Sequence, residues 1–452
     1  MRQFLPKRQN KMPNLSLLPG KKPGLLDFLG SKVWEFDVLR FYLQIRQNLK
    51  FNRFNLRNYQ ERKLKEIIKH AYETVPFYKH LYDKYGIKPE DIRTLDDLKK
   101  LPIISKEKLR EKDKGRIISS LYDMKDLVCF RTGGSTSRPF SFYISKAENK
   151  LRIAEGYRIY ALHGYNIFDK IGSIAYHSPK KDIVNWIGML RKVELPYSAS
   201  DKECAETIIR EKISLLDGYP SRLNSLASYI KKNKIKISSI KAIFTNSEVL
   251  THGFRKNIEN AFGIKVTNVY DCWEFGRIAW ECGQHRGMHI NADSMVVEII
   301  KDGRKAKPGV NGHVVVTGLN SFAMPLIRYD LGDMASLSTH KCACGVAFPL
   351  MNEIEGRAAN FIQLKSGQKI TMTARMHQFI ANESLLEYQV LQKSADELNI
   401  NIVVEKNYSP EEDAKIAKYF KGLGKFRKVT VRRVKRIKRT SQGKHTSIVN
   451  AM

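Results

Sequence analysis

The stretch RTGGSTSRP, from Arg131 to Pro139, constrains the fold and chemistry of this chain more than any other. It separates the apolar run LVCF from the alternating run FSFYI, a pattern that predicts a loop between two strands. Glycines let a backbone approach phosphates closely, and hydroxyl side chains add hydrogen-bond donors. The loop is therefore a candidate cradle for a triphosphate, built from Thr132, Gly133, Gly134, Ser135, Thr136 and Ser137.

This loop differs from the two common nucleotide-binding patterns. It lacks the lysine of a GxxxxGK[ST] phosphate loop, and no GxGxxG sequence follows a predicted strand. Both of the folds that use those patterns are therefore disfavoured. Taken alone, the loop is equally compatible with an ordinary hairpin turn rich in small residues.

The rest of the 452-residue sequence indicates layered α/β structure. Residues 26–85 place apolar side chains at helical spacing, and residues 127–355 alternate helical patterns with short Val/Ile-rich runs. Helices are predicted at Glu203–Leu216 and Ser221–Lys232, and strands at Val296–Ile300 and Val314–Val316.

A change of pattern near Glu355 predicts a domain boundary. The sequence beyond it contains a strand-like NINIVVE, a helical EEDAKIAKYFKGL and a basic strand-like KVTVRRVKRI, enough for a small α+β domain. We predict a large, multi-layer N-terminal domain over residues 1–355, with a helical region at about 26–110, and a C-terminal domain over residues 356–452.

The net charge of +33 favours anionic partners such as nucleotides, CoA, nucleic acid or a membrane surface. Residues 431–439, VRRVKRIKR, form the densest basic run, which we interpret as a generic anion-attracting surface rather than a specific nucleic-acid site. Peripheral association with an anionic membrane stays open. The first residues contain no uninterrupted apolar core of signal-peptide length, and no run approaches the ~20 apolar residues of a membrane span, so we expect a cytoplasmic location.

Cysteine and histidine spacing favours a metal site over a disulfide framework. Cys342 and Cys344 are one residue apart, and Cys282 precedes His285 and His289. Four sulfur and nitrogen ligands suit a closed, tetrahedral, structural Zn²⁺ site. His285 has the tighter CxxH spacing, so the fourth ligand is not decided by spacing, and four buried metal-free side chains are the alternative.

Several motifs, in order, resemble those of the adenylate-forming superfamily. TGGSTSRP is similar to its [ST][SG]G[ST]T[GS]xP phosphate loop. The block from Leu64 to Arg110, with VPFY and a KLP followed by a lysine, resembles the phenylacetate-CoA ligase-like branch. GYPSRLNSLASYI, from Gly218, resembles the capsular-polysaccharide-biosynthesis (CapK-like) branch. The resemblance therefore covers nearly the whole chain.

The resemblance implies roles for residues of three further motifs. YDCWE matches the family's YGxTE, which makes Glu274 the Mg²⁺-associated carboxylate and places Tyr270 near the adenine. RYDLGD is similar to xYxxGD, in which the final aspartate, here Asp333, accepts hydrogen bonds from the ribose hydroxyls. EGRAANF resembles the GRxxDxI hinge and assigns Arg357 to the ribose or phosphate side, although Asn360 replaces the hinge aspartate.

Two departures and three further assignments follow from the same resemblance. Asp271 replaces a glycine and Trp273 a threonine of YGxTE, which puts the detail of phosphate contact in doubt. RTSQGKHTSIV resembles the terminal GK motif, so Lys444 is the candidate for a mobile catalytic cation. The resemblance also places Tyr176 and His177 in the acyl pocket and selects His289 for the zinc site through ECxxxxGxHI and CxCG.

The function implied by the resemblance is ATP-dependent, AMP-forming activation of a carboxylic acid. Mg²⁺ neutralises the triphosphate, and the acid attacks the α-phosphorus with release of pyrophosphate. The acyl adenylate then acylates an acceptor, releasing AMP, after the small, mobile domain rotates. CoA is the expected acceptor, and capsular or cell-surface polysaccharide synthesis an expected setting. Alternatives are acyl transfer to an amine of a sugar or amino acid, adenylyl transfer to a cofactor hydroxyl, and a non-enzymatic basic binding protein.

Overall fold

The computed structural model describes residues 34–132, 140–175, 189–357, 361–367, 369–371, 385–404, 408–424, 426–437 and 448–450. Its α-helices are α1 (Trp34–Asn48), α2 (Arg53–Thr74), α3 (Pro76–Lys84), α4 (Lys106–Arg110), α5 (Lys114–Ile117), α6 (Lys146–Leu162), α7 (Asp201–Glu211), α8 (Pro220–Lys232), α9 (His252–Phe262) and α10 (Glu411–Gly424). Short 3₁₀ turns lie at Pro89–Asp91, Leu95–Lys100 and Met124–Asp126.

Strands follow one another from the centre of the chain to its end. They are β1 (Leu127–Thr132), β2 (Phe140–Ser145), β3 (Ile171–Ala175), β4 (Lys192–Pro196), β5 (Leu215–Gly218), β6 (Ala242–Thr245), β7 (Val266–Cys272), β8 (Gly276–Glu281), β9 (Met288–Ile290), β10 (Met295–Lys301), β11 (Arg304–Lys305), β12 (Gly312–Gly318), β13 (Tyr329–Ala335), β14 (Leu350–Met351), β15 (Gly356–Arg357), β16 (Phe361–Gln363), β17 (Lys369–Thr371), β18 (Leu385–Ser394), β19 (Glu397–Val404), β20 (Lys428–Arg433) and β21 (Ile448–Asn450).

The predicted N-terminal helical region forms because one face of α2 is apolar. Asn52 caps the helix by accepting a 2.8 Å hydrogen bond from the Asn55 backbone N–H. The apolar residues at helical spacing are all buried, namely Leu64, Ile67, Ile68 and Ala71. Tertiary packing of this face therefore supplies the stability that a helix lacks by itself.

Two sheets make up the body of the large domain. The first has strand order β14-β9-β8-β7-β6-β5-β3-β4, and its β4, β3, β5, β6 and β7 pair in parallel. The second, β11-β10-β12-β13-β15, is antiparallel. Helices α7, α8 and α9 pack against the parallel strands around a separate apolar cluster. The carboxyl ends of these strands consequently share one edge, where ligands bind in open α/β sheets.

One predicted helix is too long. The pattern predicted a helix over Glu203–Leu216, whereas α7 ends at Glu211 and Lys212 takes a left-handed conformation with φ of 50°. Leu215 and Leu216 instead open β5, where both are buried in the parallel sheet. A short apolar run fits helix and strand periods equally, so burial on both faces of the sheet decided its conformation. The helix predicted at Ser221–Lys232 is confirmed as α8.

The small C-terminal domain has a four-stranded sheet, in the order β20-β19-β18-β21, and helix α10. Its core contains Ile400 and Ile402 from β19, with Ile416 and Phe420 from the helix. The basic strand is shorter than predicted, because β20 ends at Arg433 within the run VRRVKRIKR. Gly356 and Arg357 pair with β13 of the large domain, so the boundary near residue 356 remains a prediction.

None of the helices in the described ranges is both long and apolar enough to cross a membrane. The six cysteines are all free thiols, as expected from their uneven spacing.

A closed group of charged side chains stabilises the interior beside α6. Arg158 donates a 2.9 Å hydrogen bond to Asp293, and the two side chains are 0% and 1% exposed. Glu155 lies one turn earlier and accepts a hydrogen bond from the Ser294 hydroxyl. Burial is the main reason that the pKa of Glu155 rises from 4.5 to about 7, although nearby Arg158 opposes the shift.

We expect Glu155 to make the protein less stable as the pH rises from about 5 to 7. Its folded pKa of about 7 exceeds its unfolded value, so the native state binds more protons in this window and loses stability with rising pH. Glu155→Gln removes this dependence while keeping an oxygen acceptor for Ser294. The unfolding free energy of the variant minus that of the wild type should rise by roughly 1–3 kcal/mol between pH 5 and 8.

Denaturant unfolding across this pH range measures the difference. Glu206→Gln, at a side chain that is 60% exposed, is the matched control and should track the wild type. Parallel stability curves for the wild type and Glu155→Gln would contradict the prediction.

Candidate active site

A strand pair and the turn that joins it carry the YDCWE motif. Strand β7 contains Tyr270, Asp271 and Cys272, and β8 begins at Gly276, whose φ of 72° suits the tight reversal. Arg152 of α6 fixes this turn by donating to the backbone carbonyls of Trp273 at 2.9 Å and Glu274 at 2.6 Å. The turn is therefore held against a buried helix, which restricts the position of the Glu274 side chain.

Tyr270, Asp333 and Arg357 come together where the two sheets of the large domain meet. The Tyr270 hydroxyl donates a 2.7 Å hydrogen bond to Asp333, and the Arg357 Nε lies 2.9 Å from the other oxygen of that carboxylate. Register explains the second contact, since Asp333 and Arg357 face each other across β13 and β15. Three motifs that are far apart in sequence thus converge on one carboxylate.

The environment of Asp333 affects its charge in opposing directions. Burial raises the pKa of Asp333, while the Arg357 guanidinium and the Tyr270 hydroxyl both lower it. The same ion pair raises the pKa of Arg357. A carboxylate with acceptor capacity beside a cation is suited to bind a pair of sugar hydroxyls.

Glu274 is buried and pairs with Lys106, the lysine after KLP, to which the sequence assigned no role. The Lys106 Nζ lies 3.4 Å from a carboxylate oxygen of Glu274. Burial lowers the pKa of Lys106, Glu274 opposes that effect, and the nearby Arg357 adds to it. The Glu274–Lys106 pair is therefore partly desolvated, and the more exposed Arg357 guanidinium is close enough to affect the charge of Lys106.

The segment before α4 positions Lys106. Ile104 forms a parallel bridge with Tyr329 at the start of β13, through backbone hydrogen bonds of 2.9 Å to Arg328 and Asp330. This anchors Lys106 next to the strand that carries Asp333. The Lys106 ammonium also lies 5.8 Å from the ring centroid of Phe140, the first described residue after the glycine-rich loop. The lysine thus lies between Phe140, at the start of β2, and the carboxylate of Glu274.

Strands β1 and β2 form the hairpin predicted around the glycine-rich loop, pairing from Leu127 with Ser145 to Thr132 with Phe140. Thr132 ends β1, and only its backbone is described. The remaining candidates of the loop lie outside the described residues: Gly133, Gly134, Ser135, Thr136 and Ser137. Tyr176, His177 and Lys444 also lie outside them.

Cys282, His289, Cys342 and Cys344 form a cluster at the far end of β8. Their ligand atoms all lie within 4.8 Å of one another. The Sγ atoms of Cys282 and Cys342 are 3.4 Å apart, and Cys344 Sγ lies 3.2 Å from His289 Nε2. Tetrahedral zinc with Zn–S bonds of ~2.3 Å places sulfur ligands about 3.8 Å apart, so the donor set and spacing suit this ion.

The structure distinguishes the two candidate histidines. His289 Nδ1 donates a 3.1 Å hydrogen bond to the Phe348 carbonyl, which leaves the Nε2 lone pair facing Cys344. His285 has a positive φ of 48° and directs its Nδ1 to Glu281 at 3.3 Å instead. The histidine with the tighter spacing in sequence therefore lies outside the cluster.

Solved structures share this architecture. A 2-hydroxyisobutyryl-CoA ligase in the postadenylation state superposes with a TM-score of 0.75 and 19% identity, covering 89% of this chain and 90% of that one. With the same ligase in the thioesterification state the TM-score is 0.61, at 20% identity.

Sequence relatives cover both domains. Residues 362–451 match the family model of the CapK C-terminal domain. Protein CapK of Staphylococcus aureus is 26% identical over 376 residues, which cover 80% of this chain and 81% of that protein. The phenylacetate-coenzyme A ligase of Thermus thermophilus is 26% identical over 333 residues, which cover 69% of this chain and 73% of that enzyme.

Over most of its length the chain is therefore similar to phenylacetate-CoA ligases and to CapK. The sequence assigned no role to two residues of the site, Lys106 and Arg152. The lysine after KLP was visible as a motif, but nothing in sequence pairs it with a carboxylate 168 positions away. Arg152 contacts the turn through backbone carbonyls, which no side-chain pattern reveals.

Proposed function

We propose that this protein is an ATP-dependent, AMP-forming ligase that activates a carboxylic acid as its acyl adenylate and transfers the acyl group to CoA. The observation that carries the proposal is the convergence of Asp333, Tyr270 and Arg357 beside the Glu274–Lys106 pair. One carboxylate is available for a sugar diol, another for a metal ion, and cations are available for phosphate oxygens. An ATP molecule needs these three kinds of contact.

In this proposal Asp333 binds the ribose and Tyr270 packs near the adenine. An ionised aspartate is a pure acceptor, and the ribose hydroxyls are donors. Arg357 keeps the Asp333 side chain oriented through its 2.9 Å contact, and it also donates to the Leu331 carbonyl at 2.9 Å. The nucleoside is thereby fixed between the two sheets of the large domain.

Glu274 is the proposed ligand for the Mg²⁺ that accompanies the triphosphate. A buried carboxylate oxygen is the type of ligand that Mg²⁺ prefers, and the ion would supply charge neutralisation of the phosphates. Lys106, which balances Glu274 here, is placed to donate to phosphate oxygens when nucleotide arrives. The loop Thr132–Ser137 contributes hydroxyl and backbone donors, and Lys444 contributes a second cation from the small domain.

We also propose that the boundary lies near residue 356, that the small domain rotates between the two half-reactions, and that Tyr176 and His177 line the acid pocket. The rotation is supported by analogy, because the 2-hydroxyisobutyryl-CoA ligase of similar fold has been solved in both a postadenylation and a thioesterification state. The free cysteines support a cytoplasmic location.

The CapK-like C-terminal domain supports a second candidate function, in cell-surface polysaccharide synthesis. In this second candidate an amine of a sugar, rather than CoA, is the acceptor of the acyl group.

The four-residue cluster is a proposed structural zinc site. Cys282, His289, Cys342 and Cys344 supply three thiolates and one imidazole, a closed set with no position for a reacting water. Such an ion would join β8 and β9 to the loop before β14, and its contribution would be to folding rather than to chemistry.

The first test is acid-dependent ATP–pyrophosphate exchange with the full chain, followed by addition of CoA. Exchange that requires an acid, with release of AMP and a thioester once CoA is present, is the expected result. An amide product with an amino sugar in place of CoA would select the second acceptor. Hydrolysis or binding of ATP without exchange for any acid would contradict the proposed function.

A further inference from the structure

A polar cluster adjoins the candidate nucleotide site along strands β7 and β8, and the proposed roles do not use it. We define the Asp217 cluster as Tyr160, Asp217, Asn246 and Arg277. Asp217 accepts hydrogen bonds from the Tyr160 hydroxyl and from the Asn246 amide. Arg277 donates a 2.8 Å hydrogen bond to Tyr160 and lies 3.6 Å from the Asp217 carboxylate.

The topology places this cluster at the ligand-binding edge of the parallel sheet. Asp217 lies near the carboxyl end of β5, and Asn246 directly follows β6. Arg277 faces Asp271 across β7 and β8, one residue beyond Tyr270. Asp271 in turn accepts 3.0 Å and 3.2 Å hydrogen bonds from the backbone N–H and hydroxyl of Ser247, so it closes the same edge. The cluster thus adjoins the site where Tyr270 meets Asp333.

Helix α6 forms the opposite wall. A Cβ atom at Gly156 would lie only 2.6 Å from Arg277 Nη1, so glycine is needed for the guanidinium to rest against the helix backbone. Tyr160 lies one turn further along the same helix. The guanidinium is therefore held in one place by the helix on one side and by the tyrosine on the other, rather than extending into solvent.

Exposure separates this cluster from the structural ion pair of the same helix. The side chains of Arg158 and Asp293 are 0% and 1% exposed, a closed pair that no ligand can contact. Those of Arg277 and Asp217 are 24% and 12% exposed. Charges that remain partly accessible at a ligand-binding edge can exchange water for groups of a bound molecule.

Physical chemistry then restricts what can bind beside them. An apolar group that displaces water from partly buried charges leaves those charges without hydrogen-bond partners, which is costly. A ligand with its own hydroxyl or amino group replaces those bonds. A site built to hydrogen-bond a hydroxyl or amino group of its substrate strongly rejects an analogue that lacks this group. An apolar pocket discriminates much less against an analogue that merely carries an additional hydroxyl group.

We infer that the Asp217 cluster is the far end of the acid subsite and selects a carboxylic acid bearing a hydroxyl or amino group over a purely apolar acid such as phenylacetate. This inference rests on the proposed adenylation. Its distinct content is the substrate class, since the same ligase chemistry with an apolar acid would need no such cluster.

The test compares matched acids in ATP–pyrophosphate exchange by the wild-type full chain. The pairs are phenylacetate with para-hydroxyphenylacetate, propionate with lactate, and propionate with β-alanine. In at least one pair the polar acid should give a kcat/KM at least about 10-fold higher than its apolar partner. Tyr160→Phe and Arg277→Met should each shift that ratio at least about 10-fold toward the apolar acid.

A surface substitution controls for general effects of the variants. Arg304→Met changes an exposed arginine of β11 and should leave the ratio unchanged. Tyr160→Phe keeps the ring, so it remains informative if Arg277→Met does not fold. An equal or greater kcat/KM for the apolar acid in every pair, or a ratio that neither variant changes, would overturn the inference while exchange itself upholds the ligase. Exchange with no acid at all would overturn both.

Discussion

Replacement of Glu274 by glutamine is expected to slow ATP–pyrophosphate exchange by roughly 100- to 1000-fold without unfolding the protein. The side chain keeps its size, but it loses the charge that would bind Mg²⁺ and that now balances Lys106 at 3.4 Å. Because Glu274 is buried, water cannot easily compensate for the loss of its charge. Exchange rates over a range of Mg²⁺ concentrations, with thermal melting in parallel, measure the effect.

Two lysines of α4 provide a companion variant and a control for this result. Lys106→Met removes the partner of Glu274 and should slow exchange by about 10- to 100-fold, because one charge contact to the triphosphate is lost. Lys108 is exposed on α4, and Lys108→Met should stay within about twofold of the wild type. Wild-type exchange by Glu274→Gln at ordinary Mg²⁺ concentration would refute the assignment of this carboxylate.

Loss of the cysteine and histidine cluster should have the largest effect on stability. We expect the purified protein to contain about one zinc ion per chain, and Cys282→Ser to lose it. The unfolding free energy should fall by about 3 kcal/mol or more when free zinc exceeds its dissociation constant by ~100-fold or more. The reason is that an ion held by the folded cluster would be released on unfolding, so its binding free energy would add to the stability of the fold.

Metal analysis and denaturant unfolding, with and without a chelator, are the measurements. Cys129→Ser is the matched control, since Cys129 is exposed and lies outside the cluster. His285→Ala should retain zinc and His289→Ala should not, because only His289 faces Cys344. A wild-type protein that contains no zinc and whose stability a chelator leaves unchanged would refute the site.

The order of motifs in the sequence anticipated much of the architecture. A glycine-rich loop between two apolar runs predicted the hairpin of β1 and β2, and alternating patterns predicted a large α/β domain followed by a small α+β domain. Those predictions succeed because hydrophobic periodicity and turn residues act locally, within a few positions of one another.

Contacts between distant segments could not be predicted from such local patterns. Lys106 and Glu274 are paired because Ile104 bridges to Tyr329 and brings an N-terminal segment to β13. The KLP motif marks Lys106 in the sequence, but nothing local to it indicates which acidic residue it meets. The end of α7 is a similar case, since only burial in the parallel sheet assigns Leu215 and Leu216 to a strand.

By itself, the sequence determined the layered α/β plan, the strand–loop–strand unit and the candidate carboxylates Glu274 and Asp333. The tertiary structure alone decided that Tyr270 and Arg357 share Asp333, that Lys106 balances Glu274, and that His289 rather than His285 joins the cysteines. Local periodicity determines which elements form. Side chains from separate elements meet only after those elements pack, because sheet register and burial then fix their positions.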